Sequence, residues 1–405
     1  MNNFLRNKHS AVTAPASSVM QQQAQPFAPD ARWMKRAVYL PLVMPIILFL
    51  VSLYSRPTMY FDSGSGFLVL RSMLQGAAFN TSIVPDPANI ANDVATFESW
   101  WSPGQYLVPG AFVWLGSDYG LALALTALIS TIIGLIGWAQ VARSFAVTPF
   151  VLLVFMYGLA TFRYTTLPFR IYNGGELLLF AAAPWCLLWL RWAVDKPPVV
   201  CFAVSLLSVA LLFVVKLTGL VVFAATVLAI GAIEVMRQRR LPFPILAMLA
   251  ASGAAAISFM VFWVGRGAVP AGGSGIAVTW RAILFPISAT AFSGVATNDL
   301  LSWLLLHPPA SILSDAGVIS YILGPLGLLL LFWFWIRLRT TRYRPMAICL
   351  LTIIALYTAA FVAMYSQGAA ISFEERNLRY TGILSFLLLL VALDQWRPLA
   401  GRLFR

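Results

Sequence analysis

An all-α, polytopic membrane fold is what this sequence predicts, and three observations carry the prediction. Of 405 residues, 60% are hydrophobic and only 10% are charged, with a mean hydropathy of +0.83. A single water-soluble core cannot absorb that much apolar side chain without leaving much of it in water. Apolar runs recur along the whole chain, each near the length of about 20 residues that a bilayer-spanning helix needs. Lys and Arg gather at alternate ends of those runs, as they do when cytoplasmic loops retain positive charge.

Ten runs read as spans: 38 to 53, 119 to 142, 147 to 162, 176 to 193, 198 to 215, 218 to 236, 243 to 264, 316 to 336, 345 to 365 and 378 to 394. The stretch Pro103 to Gly116 is apolar as well, but it is short and interrupted by Gly104, Pro109 and Gly110. It is assigned as an interfacial helix in the outer leaflet. The charges support that choice, because eighteen of the twenty-seven Lys and Arg then fall inside and both termini are cytoplasmic. Letting 103 to 116 span would export the run Arg237 to Arg240 and the cluster Arg337 to Arg344. Of the fourteen carboxylates, Asp30, Asp195, Glu234 and Asp394 stay inside and ten lie outside. The outer face is therefore the chemically rich one, and the net charge of +13 needs no nucleic acid to account for it.

Residues 1 to 36, with Gln21 to Gln23 and scattered Ala, Pro and Ser, read as a disordered cytoplasmic tail rather than a signal peptide. The transmembrane domain then runs from 37 to 405. Cys186, Cys201 and Cys349 fall within spans, where a thiol acts as a small apolar group, so no disulfide is expected. His9 and His307 lie on opposite sides, which excludes a His-based metal cluster. No metal site or cofactor is predicted, and a divalent cation is left as an open alternative.

Two outer loops are long, 54 to 118 and 265 to 315. In the first, Phe67, Leu70 and Leu74 share one helical face of Ser63 to Gln75, the pattern of a helix resting on a membrane surface. Between it and the second interfacial helix, Ala77 to Ser99 is polar and reads as a loop covering a substrate. Asn80, Thr81 and Ser82 form a glycosylation sequon, a triplet common by chance.

Asp62 stands where the first span gives way to this loop. An Asp before Ser63, Gly64 and Ser65 fits a helix N-cap as well as it fits a catalytic carboxylate. Glu98 precedes Trp100 and Trp101; the indoles suit an aromatic belt at the headgroups, and stacking on a sugar ring is the sharper alternative. Arg163, Arg170, Lys216, Arg376 and Arg379 are cations on the outer rim, against the sorting rule, with Glu176, Glu375 and Tyr380 beside them. Snorkelling to headgroups explains such residues one at a time. Five that return to one rim from separate loops make an anion site.

Together, Asp62, the run Trp101, Ser102, Pro103, Gly104, Gln105 and Tyr106, Arg143, the step Lys216 to Gly219, and Glu375 and Arg376 through Tyr380 resemble a known family. It is the GT-C superfamily of integral-membrane glycosyltransferases, in the bacterial branch of protein mannosyltransferases and the lipid A aminoarabinose transferase. The resemblance covers most of residues 37 to 394 and rests on layout and short motifs. It implies sugar transfer from a polyprenyl-phosphate-linked donor to a hydroxyl of a glycolipid, glycan or protein, at the periplasmic face of a bacterial inner membrane, with membrane lipids as its surroundings. Asp62 is then the general base. Lys216, Arg163, Arg170, Arg376, Arg379 and Tyr380, with Glu98, Glu176, Glu375 and Trp101, bind substrate or the lipid phosphate. Three departures stand out: Asp62 is alone where many members have paired acids, no His precedes Pro103, and no outer domain follows the last span. The first bears on metal dependence and the last favours a small acceptor or a glycolipid. The rival readings are a transporter or flippase, a polysaccharide polymerase or ligase, and an inactive scaffold of the same fold. A transporter is disfavoured because the charges gather at one rim rather than at mid-bilayer.

Overall fold

The computed structural model describes residues 36–239, 242–267, 276, 278–295, 318–368, 371 and 373–396, and for residues 61, 62 and 318–320 the backbone alone. The expected tail up to residue 35 and His307 lie outside the described residues. A 3-10 turn, Leu40–Leu42, leads into α1 (Val43–Tyr54), followed by β1 (Thr58–Met59), α2 (Phe61–Leu74), β2 (Thr81–Asp86), β3 (Asn89–Phe97) and α3 (Gly104–Trp114). Then come α4 (Tyr119–Ser144), α5 (Pro149–Thr161), α6 (Arg163–Thr166), β4 (Ile171–Tyr172), α7 (Gly175–Ala193), α8 (Pro198–Val215) and α9 (Gly219–Gln238). The rest are α10 (Phe243–Phe262), α11 (Trp280–Phe292), α12 (Val318–Leu338), α13 (Arg344–Ser366) and α14 (Arg379–Asp394).

The protein is a multi-pass membrane protein. By length and composition, eight helices can cross a bilayer: α4, α7 to α10 and α12 to α14. A ninth span is α5 continued through Arg163–Phe169 with a bend of 47°, and Leu40–Tyr54 is a shorter apolar helix in the place of the first span. The ten expected runs thus all appear as apolar helical segments. Local chemistry sets several starts. Asp118 caps α4 by accepting from Leu121 N at 2.8 Å, and Thr148 precedes Pro149 at the first position of α5.

Small residues set the packing. Gly134 and Gly137 of α4 lie against Phe180 and Pro184 of α7, where a Cβ would collide, and the fully buried Trp138 donates to Phe180 O at 3.2 Å. Such close backbone approach is how helices associate where lipid offers no hydrophobic drive. The turns at 143–148, 194–197 and 339–343 share one end of the bundle, where Arg191 donates to Ser144 Oγ at 3.0 Å and Tyr343 to Ala146 O at 3.5 Å. The loops 54–118, 163–174, 216–218 and the described residues 367–368 and 373–378 share the other.

Three expectations are corrected. The segment from Ala77 to Ser99 is not a plain loop: it folds into an antiparallel hairpin, β2 on β3, while β1 pairs in parallel with β4. Of the face meant for a membrane surface, Phe67 and Leu70 are buried, Leu70 against Gly110 of α3, and only Leu74 is exposed. The two interfacial helices therefore cover each other. In the second loop, α11 forms at 280–292 and enters the bundle despite Pro286. Thr290 there hydrogen-bonds Thr358 of α13 at 2.8 Å and Thr381 of α14 at 3.0 Å, and its carbonyl accepts from Ser385 at 2.9 Å. In hydrocarbon such bonds secure an interrupted helix to its neighbours.

Asn80 is fully buried in the left-handed region, with φ of 58°. Its amide donates to Glu98 O and its carbonyl oxygen accepts from the Tyr106 hydroxyl at 2.5 Å. The sequon is thus a structural tie between hairpin and α3, closed to glycan attachment. Replacing Asn80 by Ala strands the buried Tyr106 hydroxyl and should cost about 1–3 kcal/mol. Thermal unfolding in detergent measures this, and an unchanged melting temperature would show that the hairpin is held elsewhere.

Candidate functional site

Four chain segments converge at the loop-rich end of the bundle because glycines let their backbones touch. A Cβ on Gly104 would fall 2.5 Å from Val214 O, and one on Gly175 would fall 2.6 Å from Val215 O. Gly174 adopts φ of 72°, and there a side chain would strike Gln105 Oε1 and Ser63 Oγ. The start of α3, the start of α7 and the break between α8 and α9 are thereby drawn around one cavity of about 410 Å³. Helix starts leave free N–H groups and a positive dipole end, so such a convergence favours an anion.

The break itself is a three-residue turn. Lys216 leaves α8 in an extended conformation and Gly219 N returns to Lys216 O at 2.8 Å, so the ammonium projects into the cavity wall. Its Nζ donates to Glu176 Oε1 at 2.9 Å, with the two side chains 15% and 7% exposed. Arg376 reaches the same oxygen at 3.9 Å, pairs with Glu374, and lies over the ring of Tyr60 at 4.6 Å. Glu176 is therefore answered by two cations, and the three charged residues of the described lining carry one net positive charge.

The rest of the described lining is uncharged. Trp100 and Trp101 belong to it with their rings edge to face at 6.3 Å, and Glu98 holds their turn by accepting from Trp100 N at 2.9 Å. Trp263 fixes the same turn by donating to Ser99 O at 2.8 Å. Ser102, Gln105 and Asn173 also line the cavity, and each keeps a buried polar atom, Oγ, Nε2 and Oδ1 respectively, without a hydrogen-bond partner. An unsatisfied buried polar atom costs about 1–3 kcal/mol, so three in the lining of one cavity mark a place kept for a ligand or water. Tyr172 donates to Gln105 O at 2.9 Å from behind this lining. Burial and then Glu176 push its hydroxyl well above the ordinary range, and burial followed by Glu98 does the same for Tyr106, so both remain protonated donors.

Of the residues singled out in the sequence, Trp101, Glu176, Lys216 and Arg376 line the cavity. Asp62 is the second residue of α2, whose N-cap is Tyr60, so the expected N-cap role does not fall to it. The side chain of Asp62 lies outside the described residues. Its flanks touch the site, Tyr60 through Arg376 and Ser63 through Gly174. The other cations go elsewhere. Arg379 is buried over the ring of Tyr164 at 5.6 Å, Arg163 is half-buried on α6, and Arg170 is exposed where its carbonyl accepts from Thr58 N. Tyr380 is buried beside Trp138 and Tyr357, and Glu375 sits by a separate small pocket with Phe285 and Ser288. Among the described residues, no three His, Cys, Asp or Glu side chains come together.

The sequence reading passed over Asn173 and assigned no role to Gln105 and Ser102. The available signal was the triplet Asn173, Gly174 and Gly175 directly before Glu176, since two glycines opening a span invite close backbone approach.

No family model matches the chain, and no curated protein matches it. Among solved structures it is similar to ArnT from Cupriavidus metallidurans bound to undecaprenyl phosphate, at 16% identity and a TM-score of 0.46. It is also similar to the Archaeoglobus fulgidus oligosaccharyltransferase in complex with zinc and sulfate, at 13% and 0.48, and to the mycobacterial arabinofuranosyltransferase AftD, at 15% and 0.38. These likenesses cover 90%, 90% and 92% of this chain and 61%, 50% and 28% of the others, so the chain spans less than two thirds of each.

The ion pair makes a measurable demand. Lys216→Met leaves Glu176 buried beside Arg376 alone and should destabilise the fold by about 3–5 kcal/mol, whereas Lys216→Met with Glu176→Gln should recover most of that. Melting temperatures of the two single variants and the double variant test this, and strictly additive losses would mean that the two side chains do not act as a pair.

Proposed function

We propose that the protein is a membrane glycosyltransferase that moves a sugar from a polyprenyl-phosphate carrier to an acceptor hydroxyl at the outer face of a bacterial inner membrane. The single observation that carries the reading is the cavity that joins a buried Lys216–Glu176 pair and Arg376 to an aromatic, hydroxyl- and amide-bearing wall. A lipid phosphate needs cations and helix starts, and a sugar needs flat apolar faces with neutral hydrogen-bonding groups. The Arg-rich turns at the opposite end support an outward orientation for this one.

In the proposed reaction the acceptor oxygen attacks the anomeric carbon and the bond from that carbon to the phosphate oxygen breaks. The electron pair leaves with the prenyl phosphate. Lys216 and Arg376 stabilise the charge that grows on the leaving oxygen, and the N–H groups opening α7 add to them. Attack from the face opposite the phosphate inverts the anomeric centre. The acceptor proton passes to the Asp62 carboxylate, which the first turn of α2 favours in its ionised form. Glu176 is a positioning residue, because it fixes the ammonium of Lys216 and is itself neutralised by it.

Membrane preparations supplied with lipid-linked sugars should release prenyl phosphate. Asp62→Asn should lower kcat by about 10²- to 10⁴-fold with little change in KM, the size expected for loss of a general base. Arg376→Ala should raise KM for the lipid donor as well as lower kcat. Full transfer by the Asp62→Asn variant would remove the assigned base and with it this mechanism.

A further inference from the structure

Arg376 reaches the cavity from a short 3-10 turn, Glu375–Leu378, which the Tyr357 hydroxyl anchors by donating to Asn377 O at 2.9 Å. Two carboxylates attract its guanidinium, Glu374 as an ion pair and Glu176 at 3.9 Å. A third partner carries no charge: the guanidinium carbon lies over the ring of Tyr60, 4.6 Å from its centre. Tyr60 comes from a distant part of the chain, where it directly follows β1. The parallel pairing of β1 with β4 fixes its backbone, and Tyr60 N donates to Tyr172 O at 2.9 Å. After Tyr172 the chain runs through Asn173 and two glycines to Glu176, so the ring is held in register with the cavity lining itself.

The three partners act on Arg376 in different ways. A carboxylate takes up N–H donors in the guanidinium plane and sets a negative charge beside them, which opposes the entry of a phosphate. An aromatic face attracts the cation through its quadrupole and consumes no donor. We infer that Tyr60 is a positioning residue for the donor phosphate, a conclusion that rests on the lipid-phosphate reading above. Its ring holds Arg376 at the cavity, beside Glu374, without engaging the N–H groups that an anion needs. The loop 54–118 thereby takes part in donor affinity through a residue outside the described lining. Tyr60 is 37% exposed, so replacing it opens no enclosed void.

The full chain in detergent is titrated calorimetrically with a short-chain prenyl phosphate, and with the matching prenyl alcohol as an uncharged control. Tyr60→Leu keeps apolar bulk and removes the ring, and it should weaken binding of the prenyl phosphate about three- to tenfold. Tyr60→Phe keeps the ring and should weaken it by less than about twofold. The alcohol should not distinguish the variants. In an Arg376→Ala background Tyr60→Leu should cost nothing further, because the ring acts through the guanidinium. Tyr60→Met serves as the ringless variant if the leucine protein does not fold. Equal losses in the phenylalanine and ringless variants overturn the inference, as does a ringless variant that binds the phosphate like the unaltered protein. An undiminished effect of the ringless variant without Arg376, or a loss shared by the alcohol, is what mere packing would give and overturns it too. If Arg376→Ala binds the phosphate as tightly as the unaltered protein, the lipid-phosphate reading itself falls and takes the inference with it. Loss of binding in Arg376→Ala with none in the ringless variant overturns the inference alone.

Discussion

A buried ion pair organises the cavity-bearing end of this protein. Glu176 opens α7 and Lys216 closes α8, and taking both charges out of water is worthwhile only if they meet at hydrogen-bond distance and find further partners. Arg376 supplies one from the entry to the last helix. The meeting imposes a geometric condition on the backbone: the ends of α3, α7 and α8 must approach more closely than any side chain allows. Gly104, Gly174 and Gly175 fulfil it, and the cavity is the space left between those ends. Charge pairing, glycine placement and the cavity are therefore one constraint seen from three sides.

Charged and uncharged groups meet in one lining: the pair and Arg376 share it with a turn whose indoles are fixed by Glu98 and Trp263. That turn is in turn anchored by Asn80, which joins the hairpin to α3 through Tyr106 and Glu98. The polar composition of the loop 54–118 thus serves internal ties.

Much of the architecture was legible in the chain. Hydropathy placed all ten apolar segments, and the charge count separated an Arg-rich end from the end that carries the cavity. Glu176, Lys216 and Arg376 were each visible as charges out of place at a span end, Trp101 only as a residue that suits an aromatic belt, and all four line the cavity. Arg163, Arg170 and Arg379 looked the same on paper and do not join them. Arg379 illustrates the reason: one residue into α14, its side chain turns into the bundle and lies on Tyr164, a partner far away in sequence. Exposure to one rim is a property of a loop, while direction around that rim is a property of packing.

By itself, then, the sequence determined what is counted along the chain: apolar length, the sign of charge at each end, and the odd residue at each boundary. These depend on local chemistry with the bilayer, which acts on every segment separately. Only the tertiary structure decided the hairpin in the first loop, the entry of α11 into the bundle, and the meeting of Ser102, Gln105 and Asn173 in one cavity lining. Each of these depends on groups that are distant in sequence and satisfy one another, or fail to, only after the helices have packed.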